Sequence, residues 1–480
     1  MTPSEHAAAI ITWLGTRTLA DTQAAFPAAA SELHAHTDAL ADAADHDDVA
    51  IRSAGLTALF AGLVEPLNDG FTPAGRWLYH RLFGRMCWRI CARVPTLVTR
   101  LATFGITDEA TLLARHARIR AGSDALPSGP IARIVIPSRV TIGADVLLTT
   151  VLLQRLRQAY PTAELVVLGD AKLSGLIGGM ANVRVRPLPY ARRGPLRDRL
   201  ASWLILADAI ADERADLVVA PDSRLDQLGL LPVTADPSRY RLWENVRPER
   251  SLPGSLANQL DAWCATTFAL PLNPLCTPRL AFDAAHSDLA RRFRAAFGDA
   301  PICAVKLDHG GNAAKALPRE GEVHLLRGLR ANGWRVLLDR GFGAAELANS
   351  DSLVTTLRWV CCDLDDSGQA MGRNVSALAP NELRAPEIIR FHGSIAGWAA
   401  ALSACGHAIA YDSVGHHLAA ALGVPVSIAF TGWSDPGFPL AWQPRGAGVV
   451  HLIAIPTAEK TRPSWWDRVL STIPNAPASP

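Results

Sequence analysis

The chain has 480 residues, more than one ordinary core accommodates at about 100–200 residues per domain, so two or three domains are expected. Apolar residues supply 49% and charged residues 19%, which excludes wholesale disorder. The 47 Lys and Arg nearly cancel the 45 Asp and Glu; a formal charge of +2 gives no whole-chain field to hold nucleic acid. No run approaches the about 18–20 consecutive apolar residues of a bilayer span. The N-terminal MTPSEHAAAIITWLG carries Glu5 and no early Lys or Arg, so it does not read as a signal peptide. Eight scattered cysteines, several inside apolar runs, read as reduced, buried thiols. The expectation is a soluble, cytosolic protein.

Residues 1–125 read as helical. Within them 31–50 (SELHAHTDALADAADHDDVA) is Ala-rich and acidic, and AGSDALPSGP (121–130) is a linker and a domain boundary. IARIVIP (131–137) then begins a different grammar, a short β-branched run suited to a strand buried on both faces. A helix from Val146 to Tyr160 follows, stopped by Pro161. AELVVLG (163–169), VRVRPLP (183–189) and DLVVAPD (216–222) are further strands, with a helix at about 196–213. The pattern weakens between about 235 and 298. It resumes with strands at ICAVKL (302–307), WRVLLD (334–339), LRWVCCD (357–363), PEIIRF (386–391), HAIAYD (407–412) and VSIAF (426–430). Strands and helices in alternation predict parallel sheets, here two doubly wound units with ligands at the carboxyl ends of their strands.

Four loops lie at such ends. In PSRVTIGADVLLTT (137–150), Asp145 falls where strand hands over to helix; position alone favours a cap, and a general base is the alternative. DHGGNAAKALP (308–318) offers Gly310 and Gly311 for close backbone approach and Lys315 as a point charge for phosphate, although it is not a Walker A sequence. DRGFGAAE (339–346) places Glu346 where it either accepts from ribose hydroxyls or begins a helix. In HAIAYDSVGHHLAAALGVPVSIAF (407–430), Asp412 and Ser413 precede a helix whose first turn carries His417, a set equally suited to capping and to holding a phosphate or sugar.

The run from Asp412-Ser413 through His417 and LAAALGVP resembles the signature of glycosyltransferase family 9, the ADP-heptose:lipopolysaccharide heptosyltransferases. FHGSIAGWAAALSACGHAIAYD (391–412) is similar to the family's lead-in, and IGADVLLTTVLLQRLRQAYPTAELVVLG (142–169) to its opening segment, with GGNAAKALP and DRGFGAAE in order between them. The resemblance covers about 131–455. It implies an α/β chain of GT-B fold, two Rossmann-like doubly wound domains facing a cleft, here preceded by an all-α N-terminal domain. The boundaries read as 1–128 helical, 129–255 acceptor-side, 256–298 helical connection, 299–455 nucleotide-sugar-binding, and 456–480 C-terminal helix and tail.

The family further implies inverting transfer with no metal and no cofactor. Asp145 matches the base that deprotonates the acceptor hydroxyl and Lys315 a catalytic contact to the donor phosphates. Gly311, Glu346, Asp412, Ser413 and His417 complete the donor site, and Asp222 and Arg224 fall on the acceptor side. ADP-heptose is the favoured donor; the acceptor is lipopolysaccharide core or a protein. Peripheral contact with the inner membrane and oligomerisation stay open. Two departures stand out: Ala144 is inserted in Gly143-Ala144-Asp145, and the common Asp-Ser-Gly is Asp412-Ser413-Val414, with glycine only at 415. The alternatives are a decayed nucleotide-binding scaffold and a sugar-nucleotide epimerase.

Arg81, Arg85, Arg89 and Arg93 form one helical stripe, read as paired with the acidic 31–50 segment or solvated rather than as an anion or membrane surface. Cys87 and Cys91, like Cys361 and Cys362, read as buried thiols rather than zinc ligands. His34, His36, Asp38 and His46 read as a solvated face. Trp433 and Phe438 either line a base pocket or pack beneath a loop.

Overall fold

The computed structural model of the chain describes residues 1–122, 125–191, 193–245, 254–307, 313–366, 369–370, 373–374, 388–433, 435–462 and 464–477. Seven helices come first: α1 (Pro3–Leu14), α2 (Leu19–Ala44), α3 (Val49–Leu59), α4 (Glu65–Asp69), α5 (Pro73–Cys91), α6 (Pro95–Ala102) and α7 (Glu109–Ala121), with a π-helical turn at Phe60–Val64 joining α3 to α4. Thr2, Thr18, Asp48, Thr72 and Asp108 accept hydrogen bonds from the otherwise orphaned amides at five of these starts. The arginine stripe lies along α5 and is paired with α2. Arg85 meets Asp38 at 2.8 Å, Arg89 meets Asp42 at 2.8 Å, and Arg93 meets Asp42 at 2.8 Å. Arg81 instead lies over the Trp77 ring at 4.4 Å.

The first sheet contains β1 (Arg133–Pro137), β2 (Glu164–Gly169), β3 (Val183–Pro187), β4 (Leu217–Pro221) and β5 (Tyr240–Trp243), all parallel, in the order 3-2-1-4-5. Between its strands run α8 (Ile142–Ala144), a π-helical turn (Asp145–Thr149), α9 (Thr150–Ala159), α10 (Leu173–Ile177) and α11 (Leu196–Glu213); α12 (Leu256–Thr267) and α13 (Ala284–Phe297) follow. The second sheet is built from β6 (Ile302–Lys306), β7 (Arg335–Asp339), β8 (Cys361–Leu364), β11 (Ile388–Phe391), β12 (His407–Tyr411), β13 (Val426–Phe430) and β14 (Val450–Ala454), parallel in the order 8-11-7-6-12-13-14. The short hairpin β9 (Gln369–Ala370) and β10 (Arg373–Asn374) extends it antiparallel beyond β8. Its helices are α14 (Arg319–Ala331), α15 (Ala344–Leu357), α16 (Ile395–Leu402), α17 (Val414–Ala421), α18 (Phe438–Ala441) and α19 (Ser464–Ser471). The α/β class is as expected, and β5, β9, β10 and β14 are strands the sequence reading did not find.

Side-chain alternation divides each sheet between two cores. Ile134, Ile136, Leu165, Val167, Leu217 and Val219 face a cluster that also takes in α9, α12, α13, α16 and the inner face of the second sheet. Val135, Val166, Leu168, Val218 and Ala220 face the opposite way, into one cluster with α11 and the N-terminal helices. The helices therefore share a core with the first sheet. The stretch Val49–Asp69, spanning α3 to α4, has the length and mean hydropathy (1.2) of a membrane span by composition alone, although Arg52 and Glu65 interrupt it; Leu59, Leu63, Val64 and Leu67 within it are buried in that shared core.

Strand order reverses direction between β1 and β4 in the first sheet and between β6 and β12 in the second. Ligand crevices of doubly wound sheets open outside the strand ends at such points.

Candidate functional site

At the second switch point β12 ends at Tyr411, and Asp412 and Ser413 lead into α17. Lys315, on a short 3-10 turn after β6, ion-pairs with the Asp412 carboxylate, and its Nζ lies 3.4 Å from the Asp412 carbonyl. A second lysine lies beside it. Lys306, the last residue of β6, is 1% exposed and ion-paired with Asp339 at the end of β7, whose side chain is 4% exposed. A Cβ on residue 415 would stand 2.7 Å from Lys306 Cδ, so glycine in the first turn of α17 gives this side chain its room. That accounts for where the glycine sits in Asp412-Ser413-Val414-Gly415.

Around the start of α17, Ser413 Oγ, His416 Nε2, His417 Nδ1 and Thr431 Oγ1 are buried and have no hydrogen-bond partner among the described residues. Such atoms cost about 1–3 kcal/mol each when unpaired. His416 Nδ1 lies 3.2 Å from Ser413 N and 3.0 Å from the Tyr411 carbonyl, and burial lowers the pKa of both His416 and His417, holding the imidazoles neutral. The site thus combines two lysines, a helix start and several hydroxyl and imidazole groups in want of partners. This is the chemistry of an anion site.

At the first switch point the loop after β1 turns Asp145 inward. Asp145 is 2% exposed and both oxygens are occupied: Oδ2 accepts from Ser138 Oγ at 2.6 Å, and Oδ1 from Arg139 N at 3.0 Å and Thr149 Oγ1 at 2.7 Å. Burial raises its pKa against these hydrogen bonds. The cap expected from position is not what forms: the Asp145 carboxylate turns inward and braces the loop after β1. Asp145 begins the π-helical turn Asp145–Thr149.

Asp222 is likewise withdrawn. It is 1% exposed, 2.5 Å from Arg76 on α5 and 3.3 Å from Arg139, so its carboxylate ties the N-terminal helices to the sheet instead of facing an acceptor. Arg224, two residues on, is half-buried and forms no ion pair among the described residues. Beside it a cavity of about 430 Å3 opens at the ends of β1, β2 and β3, lined by Ser138, Val140, Asp170, Leu188, Tyr190 and Leu225.

Glu346 is a helix cap. Its Oε2 accepts from Phe342 N at 2.6 Å and Gly343 N at 3.0 Å, folding the loop before α15, as the helix-start reading expects. Gly311 lies outside the described residues. A larger cavity, about 750 Å3, lies between α14 and α15 and is lined by Arg319, Glu322, Asp339, Phe342, Glu346 and Ser350 among others. Phe438 and Trp433 belong to the aromatic packing around Phe430, with Phe438 also 5.9 Å beneath Lys315.

The two mouths face one another. A Cβ on residue 143 would lie 3.2 Å from His417 Cδ2, and Lys172, after β2, stands 5.9 Å from the Phe342 ring. Sequence reasoning missed Lys306 and Asp339, although a lysine inside the apolar run ICAVKL is itself a signal, since lysine is almost never fully buried unless paired. It also missed a third contributor, α4. Phe71, just after it, packs 6.4 Å from Phe438, which brings Glu65 and Asp69 to the cleft, where Lys315 and Arg224 are near enough to act on the Glu65 carboxylate.

Away from the cleft, His80, His116 and Glu244 bring potential ligand atoms within 4.8 Å of one another. Glu244 already holds Arg120 at 2.8 Å and His80 at 2.8 Å, with Arg76 at 3.7 Å. A divalent cation there would meet two guanidiniums, so the cluster reads as a neutralised buried network.

No family model and no curated protein matches the chain. Among solved structures it is similar to E. coli ADP-heptose lipopolysaccharide heptosyltransferase II, at 16% identity and TM-score 0.48, over 71% of this chain and 99% of that one. It is also similar to a family 9 glycosyltransferase from Veillonella parvula (16%, 0.49, 69% and 87%) and to the E. coli heptosyltransferase WaaC with ADP (17%, 0.48, 71% and 99%).

Proposed function

We propose that this protein is an inverting, metal-independent glycosyltransferase of the lipopolysaccharide heptosyltransferase type. It moves a sugar, with heptose from ADP-heptose the favoured case, to a hydroxyl of lipopolysaccharide core or of a protein. The observation that carries this reading is the convergence of Lys315, Lys306 and the unpartnered Ser413, His417 and Thr431 groups on the start of α17, opposite the mouth of the first sheet.

Displacement at an anomeric carbon sends an electron pair onto the departing nucleoside diphosphate. That charge is stabilised where cations and helix amides are already aimed, and loss of one such group raises the barrier by about 3–4 kcal/mol. In the free protein each lysine rests on an aspartate, so the diphosphate exchanges a carboxylate for phosphate oxygens. The acceptor enters over the 430 Å3 cavity, with unpaired Arg224 at its edge. Work in the cytoplasm, at or near the inner membrane, belongs to the same proposal.

Thermal unfolding against ADP, UDP, GDP and CMP tests it. A selective shift with ADP or ADP-heptose supports the donor assignment, a UDP-selective shift replaces the sugar nucleotide, and no shift with any of them refutes the reading.

One observation favours a second reading. With Asp145 buried and fully hydrogen-bonded, the residue that resembles the family base is unsuited to take a proton as it stands. A nucleotide-binding scaffold without turnover would show ADP binding and no ADP release from ADP-heptose.

A further inference from the structure

The reaction needs a base that reaches the acceptor hydroxyl. Asp145 has two occupied oxygens and 2% exposure, Asp222 is locked between Arg76 and Arg139, and Glu346 folds its own loop. Asp339 and Asp412 neutralise the two lysines of the donor site. Asp170, at the acceptor-side cavity, folds its own loop by accepting from Lys172 N at 3.0 Å. Two further carboxylates at the cleft among the described residues, Glu65 and Asp69, come from the N-terminal helical region, which lies outside the part of the chain that resembles the transferase family.

Glu65 starts α4, and its side chain is exposed. The place of α4 is fixed from both sides. Leu63, Val64 and Leu67 are buried in the core shared with the first sheet, and Phe71 packs on Phe438 of the second unit, the ring above which Lys315 stands at 5.9 Å. The charged groups that face Glu65 are Asp69 on its own helix, Arg224 from the loop after β4, and Lys315 from the loop after β6. It therefore lies within electrostatic reach of both an arginine on the acceptor side and the lysine of the donor site.

Resting on the reading of a glycosyl transfer, we propose that Glu65 is the catalytic base of this protein, supplied to the cleft by the N-terminal helices. Its carboxylate takes the proton of the acceptor hydroxyl as that oxygen bonds to the anomeric carbon. The bond from that carbon to the diphosphate oxygen breaks, its electron pair leaves on the nucleoside diphosphate beside Lys315, and Glu65 returns the proton to solvent. Asp69 is more enclosed, held by Asn68 Nδ2 at 3.0 Å, and acts on Glu65 through its charge. Partial burial and the Asp69 charge both raise the proton affinity of Glu65, against the pull of Arg224 and Lys315.

The test uses the full chain with ADP-heptose, water as acceptor, and sodium azide as an acceptor that carries no proton to remove. Glu65→Gln is expected to keep ADP affinity and thermal midpoint while losing about 10²–10⁴-fold in ADP release in water, as loss of a general base does. Azide is expected to restore release in Glu65→Gln and not in Asp145→Asn. Release within about threefold of wild type in Glu65→Gln, or a loss that azide does not restore, overturns the assignment. Azide rescue confined to Asp145→Asn overturns it in favour of Asp145. If the wild-type chain neither binds ADP nor releases it from ADP-heptose, the glycosyltransferase reading itself fails; wild-type turnover with an unaffected Glu65→Gln fails the base assignment alone.

Discussion

Replacing Asp222 by Ala separates a structural from an acceptor-binding role for this residue. Its carboxylate is 1% exposed and lies 2.5 Å from Arg76, itself 2% exposed, and 3.3 Å from Arg139. Truncation leaves two guanidiniums in one dry space, with Glu244 3.7 Å from Arg76 as the nearest remaining counter-charge. Breaking a buried pair by removing one partner costs about 3–5 kcal/mol, because the surviving charge stays desolvated. At about 2–4 °C per kcal/mol for a unit of 150–250 residues, the melting midpoint should fall by about 6–20 °C. The pair joins α5 to the loop after β4, and both pack into a single core, so helix and sheet signals should fall together in circular dichroism and in limited proteolysis. A midpoint lowered by less than about 2 °C, or helices that melt unchanged while the sheet is lost, would refute the reasoning.

Lys306→Met should lower ADP affinity about 10–100-fold, the range of a charge-assisted hydrogen bond of about 1.5–3 kcal/mol, and should also destabilise the fold by stranding Asp339. Lys306→Met with Asp339→Leu should recover the stability and not the affinity, as read by calorimetric titration and melting. Glu322 is buried against Tyr411 at 2.9 Å, and burial pushes its carboxyl up to about 7. A folded pKa above the unfolded one gives stability that is complete below about pH 4.5 and lost as pH rises through about 7. Glu322→Gln should therefore flatten the fall in melting midpoint over that window, and an unchanged slope would count against it.

Much of the fold was legible because doubly buried parallel strands read as unbroken apolar runs: IARIVIP, AELVVLG and HAIAYD could hardly be anything else. The strands missed have other reasons. Tyr240–Trp243 is four residues long with an arginine inside it, and Val450–Ala454 follows a Gly-rich stretch with a histidine at its second position; both are edge strands, which need no continuous apolar pattern. At the site, the loops were legible from their position after strands, yet the direction of each side chain was not. Glu346 took up the helix-start reading, whereas Asp145 took up neither the cap nor the base expected of it and instead turned inward onto Ser138, Arg139 N and Thr149. Lys306 with Asp339, Arg76 with Asp222, and Glu65 beside Lys315 are pairings across 33, 146 and 250 residues, which no local period records.

The most direct test of the central claim is calorimetric titration of the wild-type chain and of Lys315→Met with ADP and with adenosine. Wild type should bind ADP well and adenosine far more weakly, since the diphosphate carries the recognition; at about 100 times the dissociation constant ADP should stabilise the fold by about 2.7 kcal/mol. Lys315→Met should lose most of the difference between the two ligands. Equal affinity for ADP and adenosine, or no loss in Lys315→Met, would contradict an anion site at the start of α17 and the transfer chemistry built on it.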